Sequence, residues 1–273
     1  MYKIIFDRSI LHGDKFDILQ SSRLNKLVQS KKIKLFYTPR FLIETLALAP
    51  KRADECRVHM NWLIKLNDAR WFHLFDEIIR SELNNQVLPN KYYLVEDAKR
   101  TDWLSRLSPF LKGKSDVVPG LEEYRNRESS YKTKVRTTLL AYRDQTPLSQ
   151  YDLDRSLDQF VKDMLNKFEI ADGKESGVYQ TKWDRDRFTC RYTERYLRAL
   201  FGTIWIPLSN RNLGIDRNDL ADAEQLSYMP WADIFVSDDH KTMESNFDFL
   251  YHDWKGKLLL DSAKFIKLLQ TLR

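Results

Sequence analysis

Carboxylates recur at four places along the 273-residue chain, and they are the side chains best suited to hold a hard divalent cation. Asp7 follows the segment YKIIF, and Glu44 lies in RFLIETLALA. Asp219 and Asp222 lie in RNDLADAEQLSY, and Asp238 and Asp239 end ADIFVSDD. Gathered at one point, such groups repel each other unless a cation lies between them. Mg²⁺ or Mn²⁺ would neutralise them, polarise a phosphate and activate a water molecule. These residue types therefore predict a site where a metal ion activates water against a phosphoryl group.

Short runs of β-branched and aromatic residues predict the strands that would position these carboxylates. Such runs are YKIIF, IKLFYT beginning near Ile33, TIWIPL beginning at Thr203, ADIFVS beginning at Ala232, and KLLL near Lys257. Asp7 ends the first run, and the pair Asp238 and Asp239 follows another. Ligands of open parallel sheets gather outside the carboxyl ends of the strands. Carboxylates from distant parts of the sequence are therefore expected to converge.

The remaining carboxylates fall on predicted helices. Thr38 as N-cap and Pro39 at the first helical position begin a helix that carries Glu44 about a turn and a half later. FDILQSSRLNKLVQS has helical spacing and connects the first two strands, while Asp261 and Ser262 offer an N-cap for a closing helix. Asp219 and Asp222 are three residues apart and share one helix face.

Strands that alternate with helices predict an α/β fold with a parallel sheet. Residues 1–50 and 201–273 are expected to form this domain, since both ends of the chain carry the β-rich runs. Between them, residues 51–200 have charged amphipathic stretches and long polar connections, which predict a large, mostly helical insertion. The chain ends of compact domains commonly lie close together, which suits this arrangement.

Composition narrows the possible functions. The 45 Lys and Arg against 39 Asp and Glu leave a charge of +6, which suits a polyanionic partner without requiring one. Cys56 and Cys190 form no paired motif, and the five histidines lack zinc-ligand spacing. Neither a nucleophile elbow nor a phosphate-binding glycine loop is present. Without an apolar run of roughly 20 residues or a secretory leader, we expect a cytoplasmic protein that does not contact the membrane.

Three blocks resemble the acidic motifs of the PIN-domain nuclease family in their usual order: IIFDRSIL, TPRFLIETL and NDLADAEQLSYMPWADIFVSDDHKTM. The resemblance implies a PIN-like parallel α/β sandwich and Mg²⁺- or Mn²⁺-dependent cleavage of phosphodiester bonds, commonly in RNA. It implies catalytic and metal-binding roles for four residues: Asp7, Glu44, Asp222 and Asp239. Asp219 competes with Asp222 as a metal ligand, and Asp238 competes with Asp239. Ser9 stands where the family often has Asn.

Substrate contacts are predicted at the acidic site and in the insertion. Ser9, Ser237 and His240 adjoin the carboxylates, while Arg191 and Arg195 alternate with aromatic residues in WDRDRFTCRYTERYLRAL. The arginines would grip a phosphate backbone, although an ordinary amphipathic helix has the same pattern. The sequence thus predicts a metal-dependent nuclease with RNA favoured over DNA. The alternative is a non-catalytic PIN-like module that binds nucleic acid or protein through its basic insertion, and self-association as a homo-oligomer stays open.

Overall fold

A four-stranded sheet with all strands parallel is the frame of the structure. The computed structural model describes residues 1–67, 70–84, 93–145, 153–182, 190–209 and 217–272. Its strands are β1 (Tyr2–Phe6), β2 (Ile33–Phe36), β3 (Ile234–Val236) and β4 (Leu258–Leu260), in the spatial order β2-β1-β3-β4. The predicted α/β class with a parallel sheet is confirmed, and these strands match four of the five predicted β-rich runs.

Helices make up most of the rest of the described chain. They are α1 (Asp14–Ser21), α2 (Leu24–Gln29), α3 (Pro39–Leu46), α4 (Ala53–Asn67), α5 (Phe75–Leu83), α6 (Asp97–Leu111), α7 (Leu121–Gln145), α8 (Leu153–Ala171), α9 (Arg191–Ser209), α10 (Arg217–Leu226), α11 (His240–Tyr251) and α12 (Ser262–Thr271). Short 3₁₀ turns occupy Arg8–Leu11, Gln180–Lys182 and Met229–Trp231. In these ranges no helix combines the length and apolarity needed to cross a bilayer.

Two helix starts follow the predicted capping chemistry. The Thr38 side chain accepts a hydrogen bond from Phe41 N at the start of α3, and Asp261 accepts one from Lys264 N at the start of α12. Each cap satisfies a backbone donor that has no partner within its helix. The cap at Thr38 fixes where α3 begins and therefore where Glu44 lies relative to the sheet.

The predicted strand at TIWIPL is wrong, because this segment belongs to α9. Leu197, Leu200, Phe201 and Ile204 are all buried, and their spacing of three, one and three residues is helical. The apolar stripe that begins earlier in α9 therefore continues through the β-branched residues and outweighs their strand preference. The expected domain boundary at residues 200 and 201 consequently falls within one continuous helix.

The predicted helix between the first two strands is two helices. Helix α1 ends at Ser21, and α2 begins at Leu24. The Ser22 hydroxyl donates to Leu19 O (2.6 Å) and accepts from Leu24 N (3.2 Å), so it closes one helix and supports the start of the next.

Both faces of the sheet are covered, and the helices of residues 51–200 help to cover each one. Along β1, Ile4 and Phe6 join one apolar cluster while Ile5 joins the other, because side chains alternate across a strand. Phe110 of α6 lies in the cluster of Ile4, and Phe160 of α8 lies in the cluster of Ile5. The insertion therefore packs into the same cores as the sheet.

A buried carboxylate from α5 holds the start of α9, which in turn packs against α10. Glu82 is 8% exposed and accepts hydrogen bonds from Tyr192 N (3.1 Å), Thr193 N (2.8 Å) and Thr193 Oγ1 (2.8 Å). Burial raises the pKa of Glu82, and the hydrogen bonds from Thr193 and Tyr192 oppose that rise. Glu82 thus supplies acceptors for the otherwise unpaired first N–H groups of α9.

Replacing Glu82 with Ala should lower the free energy of unfolding by about 2–4 kcal/mol, since buried donors at the start of α9 lose their acceptor. Urea denaturation at neutral pH measures the difference. Glu122→Ala, at an exposed position in the first turn of α7, is the control and should change stability by less than about 0.5 kcal/mol. Equal effects of the two substitutions would contradict the proposed role of Glu82.

Candidate functional site

Asp7 lies directly after β1, where the register of the sheet brings the ends of β1 and β3 together. Its carboxylate is 7% exposed and accepts three hydrogen bonds: Oδ2 from Ser9 N (3.1 Å) and Ser237 Oγ (3.0 Å), and Oδ1 from Gln225 Nε2 (3.1 Å). Its backbone N–H donates to Val236 O (2.9 Å), which continues the pairing between the strands. Asp7 is therefore held in one orientation at the carboxyl edge of the sheet.

Asp222 of α10 is also buried, but its carboxylate is not satisfied in the same way. It is 7% exposed, and its Oδ2 has no hydrogen-bond partner among the described residues. Burial raises the pKa of Asp222 well above its usual range, and the charges of Asp7 and Asp239 raise it further. An ionised carboxylate is costly in such surroundings unless a positive group reaches it.

Ser237 and Asp239 follow β3 and face the carboxylate of Asp7. Ser237 is 2% exposed; its hydroxyl donates to Asp7 and accepts from Asp239 N (3.1 Å). Asp239 is the exposed N-cap residue of α11, yet its side chain makes no capping hydrogen bond. The carboxylate of Asp239 is therefore not used to cap α11.

Asp238, the neighbour of Asp239, is used to hold the fold together. Its carboxylate accepts from Ser262 N (2.8 Å) and forms an ion pair with Lys15 (2.9 Å). Burial acts to raise the pKa of Asp238, but the bonds from Ser262 and Lys15 outweigh it and hold the pKa below its usual value. The Asp238 backbone N–H also donates to Ser9 Oγ (2.8 Å). These partners connect Asp238 to α1 and α12.

Glu44 projects from α3 and is linked to the insertion through an arginine. Arg40 Nε donates to Glu44 Oε1, and the same guanidinium pairs with Glu128 of α7. Arg40 is 7% exposed, whereas the Glu44 side chain is 27% exposed. One oxygen of Glu44 is therefore anchored by a buried cation while the side chain still reaches solvent.

The acidic cleft is an open cavity of about 520 Å³ at the carboxyl edge of the sheet. It is lined by Asp7, Arg8, Ser9, His12, Glu44, Ala47, Leu48, Ala221, Asp222, Gln225 and Asp239. The structure thus brings together the four carboxylates predicted as catalytic, with Ser9 beside them. Of the predicted alternatives, Asp219 is 9% exposed one turn before Asp222, and neither Asp219 nor Asp238 lines the cleft.

Within the described ranges, no group of three or more His, Cys, Asp or Glu side chains is arranged so that it could hold a metal ion. The donor set of the cleft is nevertheless the one that Mg²⁺ and Mn²⁺ select, since it consists of carboxylate and hydroxyl oxygens. The partnerless Oδ2 of Asp222 is the atom that most needs a positive neighbour. By donor chemistry the cleft suits a divalent ion, but its carboxylates would have to move closer to one another.

The predicted substrate contacts of the insertion lie elsewhere. Arg195 Nη1 donates to Leu250 O (2.9 Å), and its guanidinium lies over the Trp254 ring at 4.2 Å. Arg191 is exposed at the first position of α9, and neither arginine lines the cleft. Residues 183–189 of the basic stretch fall outside the described residues, as does the side chain of His240.

Three polar residues of the cleft, Arg8, His12 and Gln225, were not predicted from the sequence. Gln225 lies three positions after Asp222, so their shared helix face was the available signal. Arg8 Nη1 donates to His12 Nε2 (3.0 Å), and burial and the charge of Arg8 lower the pKa of His12. Arg8 therefore supplies positive charge in the cleft beside a histidine that tends to be neutral.

Comparisons with known proteins identify no relative of this chain. No family model, curated protein or solved structure matches the chain.

Without divalent ions, Asp222→Asn should raise the free energy of unfolding by about 1–2 kcal/mol, because it removes a buried charge with like-charged neighbours. Asp238→Asn should lower it by a similar amount, about 1–2 kcal/mol, since it weakens the Lys15 ion pair and the bond from Ser262. Urea denaturation in EDTA compares the two variants. A clear loss of stability in Asp222→Asn would contradict this description of the cleft.

The stability difference between Asp222→Asn and the wild type should also depend on pH. Because the pKa of Asp222 is higher in the folded than in the unfolded chain, its contribution to stability is present below the unfolded value of about 3.9 and is lost as the pH rises. The advantage of Asp222→Asn over the wild type should therefore grow with pH. A series of urea titrations between acidic and neutral pH measures the trend, and an advantage that shrinks with rising pH would be the wrong sign.

Proposed function

We propose that this chain is a metal-dependent phosphodiester hydrolase with a PIN-like α/β domain, and that it cleaves RNA in preference to DNA. The observation that carries the proposal is the buried Asp222 carboxylate, whose Oδ2 lacks a donor while Asp7, Glu44 and Asp239 line the same cleft. Buried carboxylates normally have donors, as Asp7 does. A carboxylate that lacks them beside three others is typical of a cation site.

Asp7, Glu44, Asp222 and Asp239 would hold Mg²⁺ or Mn²⁺. When bound, such an ion polarises a phosphate oxygen and lowers the pKa of a water molecule so that it can attack phosphorus. Ser9, Ser237 and Gln225 hold the Asp7 carboxylate in place, and Arg40 holds one oxygen of Glu44. Each anchored carboxylate keeps further acceptor capacity for a cation.

The carboxylates can approach one another by side-chain rotation. Asp239 is exposed and makes no capping bond, so it can change rotamer without disturbing the core, whereas Glu44 is anchored by Arg40 and would offer the oxygen that Arg40 does not hold. Asp7 and Asp222 are fixed by burial on β1 and α10. The two buried carboxylates would thus define the position of the ion, Asp239 would turn toward it, and Glu44 would reach it while Arg40 holds its other oxygen.

One arginine of the cleft could contact a polyanionic substrate once a metal ion neutralises the carboxylates. Arg8 lines the cleft beside the carboxylates, and the whole chain carries a charge of +6. An arginine there can bind a phosphate oxygen of the substrate while the metal ligands face the scissile bond. The preference for RNA and the PIN-like sandwich rest on the sequence resemblance, and the discontinuous domain of residues 1–50 and 201–273 rests on the β-rich runs near both ends of the chain.

Purified protein with Mn²⁺ should cleave fluorescently labelled single-stranded RNA faster than DNA of the same sequence. Asp222→Asn and Asp239→Asn should each lower the cleavage rate by at least about 100-fold, equivalent to about 2.7 kcal/mol of transition-state stabilisation. Initial rates measured with and without EDTA provide the test.

Asp238→Asn is the matched control, because it removes a neighbouring carboxylate that does not line the cleft. It should retain most of the activity at temperatures where the variant stays folded. Absence of cleavage with any divalent ion, or equal rates for Asp239→Asn and Asp238→Asn, would refute the proposal. If the wild type bound RNA but never cut it, and the Asn variants bound equally well, the chain would instead be a non-catalytic PIN-like binding module.

A further inference from the structure

A second cavity, of about 420 Å³, lies among α5, α7, α8, α9 and α10 and shares no lining residue with the acidic cleft. Its size falls within the usual range for small-molecule sites. Its apolar wall includes Phe75, Leu83, Tyr131, Phe168 and Tyr196. We call it the aromatic cavity.

Three aromatic rings pack together in this wall. The Phe75 ring centroid is 4.9 Å from that of Tyr131 and 5.5 Å from that of Tyr196. The hydroxyls of Tyr131 and Tyr196 hydrogen-bond to each other, so each already has a polar partner. The rings therefore offer a ligand mainly an apolar surface, and aromatic rings of this kind also attract cations.

One buried carboxylate also lines the aromatic cavity. Glu224 is 7% exposed, and its Oε1 has no hydrogen-bond partner in the part of the chain that the structure describes. Glu224 follows Asp222 by two residues on α10, which is a rotation of about 200° around the helix. The two carboxylates therefore serve different cavities on opposite sides of α10.

The nearest cations are already bound to other carboxylates. Lys132 Nζ pairs with Glu128 (3.0 Å), and Arg40 bridges Glu128 and Glu44. This network contains two cationic side chains and, with Glu224, three carboxylates. The charges of Arg40 and Lys132 favour the ionised form of Glu224, but both cations are shared with Glu128 or Glu44, and Glu224 Oε1 has no donor among the described residues.

The exposed charges that line the cavity do not supply that missing donor. Arg80 lies 3.9 Å from Asp172, and Arg127 pairs with Glu123 (3.0 Å). Both arginine side chains are more than half exposed, whereas Glu224 is buried. The described side chains therefore leave Glu224 Oε1 open to a donor from a molecule inside the cavity.

We propose that the aromatic cavity binds a small organic amine, with its ammonium group at Glu224 and its apolar body against Phe75, Tyr131 and Tyr196. An ammonium supplies the donor that Glu224 Oε1 lacks and adds a positive charge to a network that has more carboxylates than cations, and the apolar body fits the aromatic wall. A neutral ligand of the same shape would supply one donor and no charge. The proposal does not depend on nuclease activity, since it concerns a separate cavity.

Isothermal titration calorimetry of the full chain, in the absence of divalent ions and RNA, tests this proposal with 2-phenylethylamine as the probe. Measurements at about pH 8 keep an amine with a pKa near 10 protonated. We expect saturable binding of one amine per chain, at least tenfold tighter than binding of 2-phenylethanol, its neutral analogue. Absence of amine binding, or equal affinity for the alcohol, would overturn the proposal.

Two variants on α10 form a matched pair. Glu224→Gln preserves the shape of the side chain and should weaken amine binding at least tenfold, while Asp222→Asn, in the acidic cleft, should leave it unchanged. The reverse pattern would place the amine in the acidic cleft and overturn the proposal. If circular dichroism shows that Glu224→Gln is not folded, Ala171→Trp replaces it, because an indole at this exposed position in the lining should obstruct the cavity. Undiminished affinity in Ala171→Trp would then contradict the assignment.

Discussion

The burial of two like-charged carboxylates at the carboxyl edge of a parallel sheet is the constraint on which the rest of the structure depends. Asp7 and Asp222 are each 7% exposed; Asp7 accepts three hydrogen bonds, whereas Asp222 Oδ2 has no partner among the described residues. Parallel pairing of β1 with β3 places Ser237 against Asp7, and α10 brings both Gln225 and Asp222 to the same place. The sheet and α10 therefore create a site in which hydrogen bonds stabilise the Asp7 carboxylate, while the charge of the Asp222 carboxylate is incompletely neutralised. The unsatisfied carboxylate lowers the stability of the folded chain, and this cost has a physical reason if the site binds a cation.

The helices between α3 and α10 take part in this arrangement. Arg40 joins Glu44 of the cleft to Glu128 of α7, and Glu82 of α5 fixes the start of α9, which packs on α10. Two of the elements that carry cleft carboxylates, α3 and α10, are thus positioned partly by contacts with residues of the insertion. A nuclease built this way would have its ligand geometry set partly by the insertion, in addition to any role that the insertion has in substrate binding.

The sequence was most informative where a structural feature depends on neighbouring residues. Strand β1 and the cap at Thr38 follow from local patterns, and so does the placement of Asp7 at a strand end. The strand predicted at TIWIPL failed because burial along the whole of α9 outweighed local β preference. The roles of Asp238 and Asp239 could not be separated, because the partners Lys15 and Ser262 come from other elements. For the same reason, the roles of Gln225 and Glu224 could not be predicted from the sequence, because they depend on the position of α10 between the two cavities.

The central claim, that the unsatisfied Asp222 carboxylate marks a divalent cation site, is tested most directly by diffraction from crystals soaked in Mn²⁺. Data collected at the manganese absorption edge locate the ion without reference to activity. The account predicts an anomalous peak within coordination distance of Asp222 Oδ2, with Asp7 as a second ligand and with Asp239 or Glu44 turned toward it. A fully soaked crystal with no peak in the acidic cleft, or with its peak at Asp238, would contradict the account.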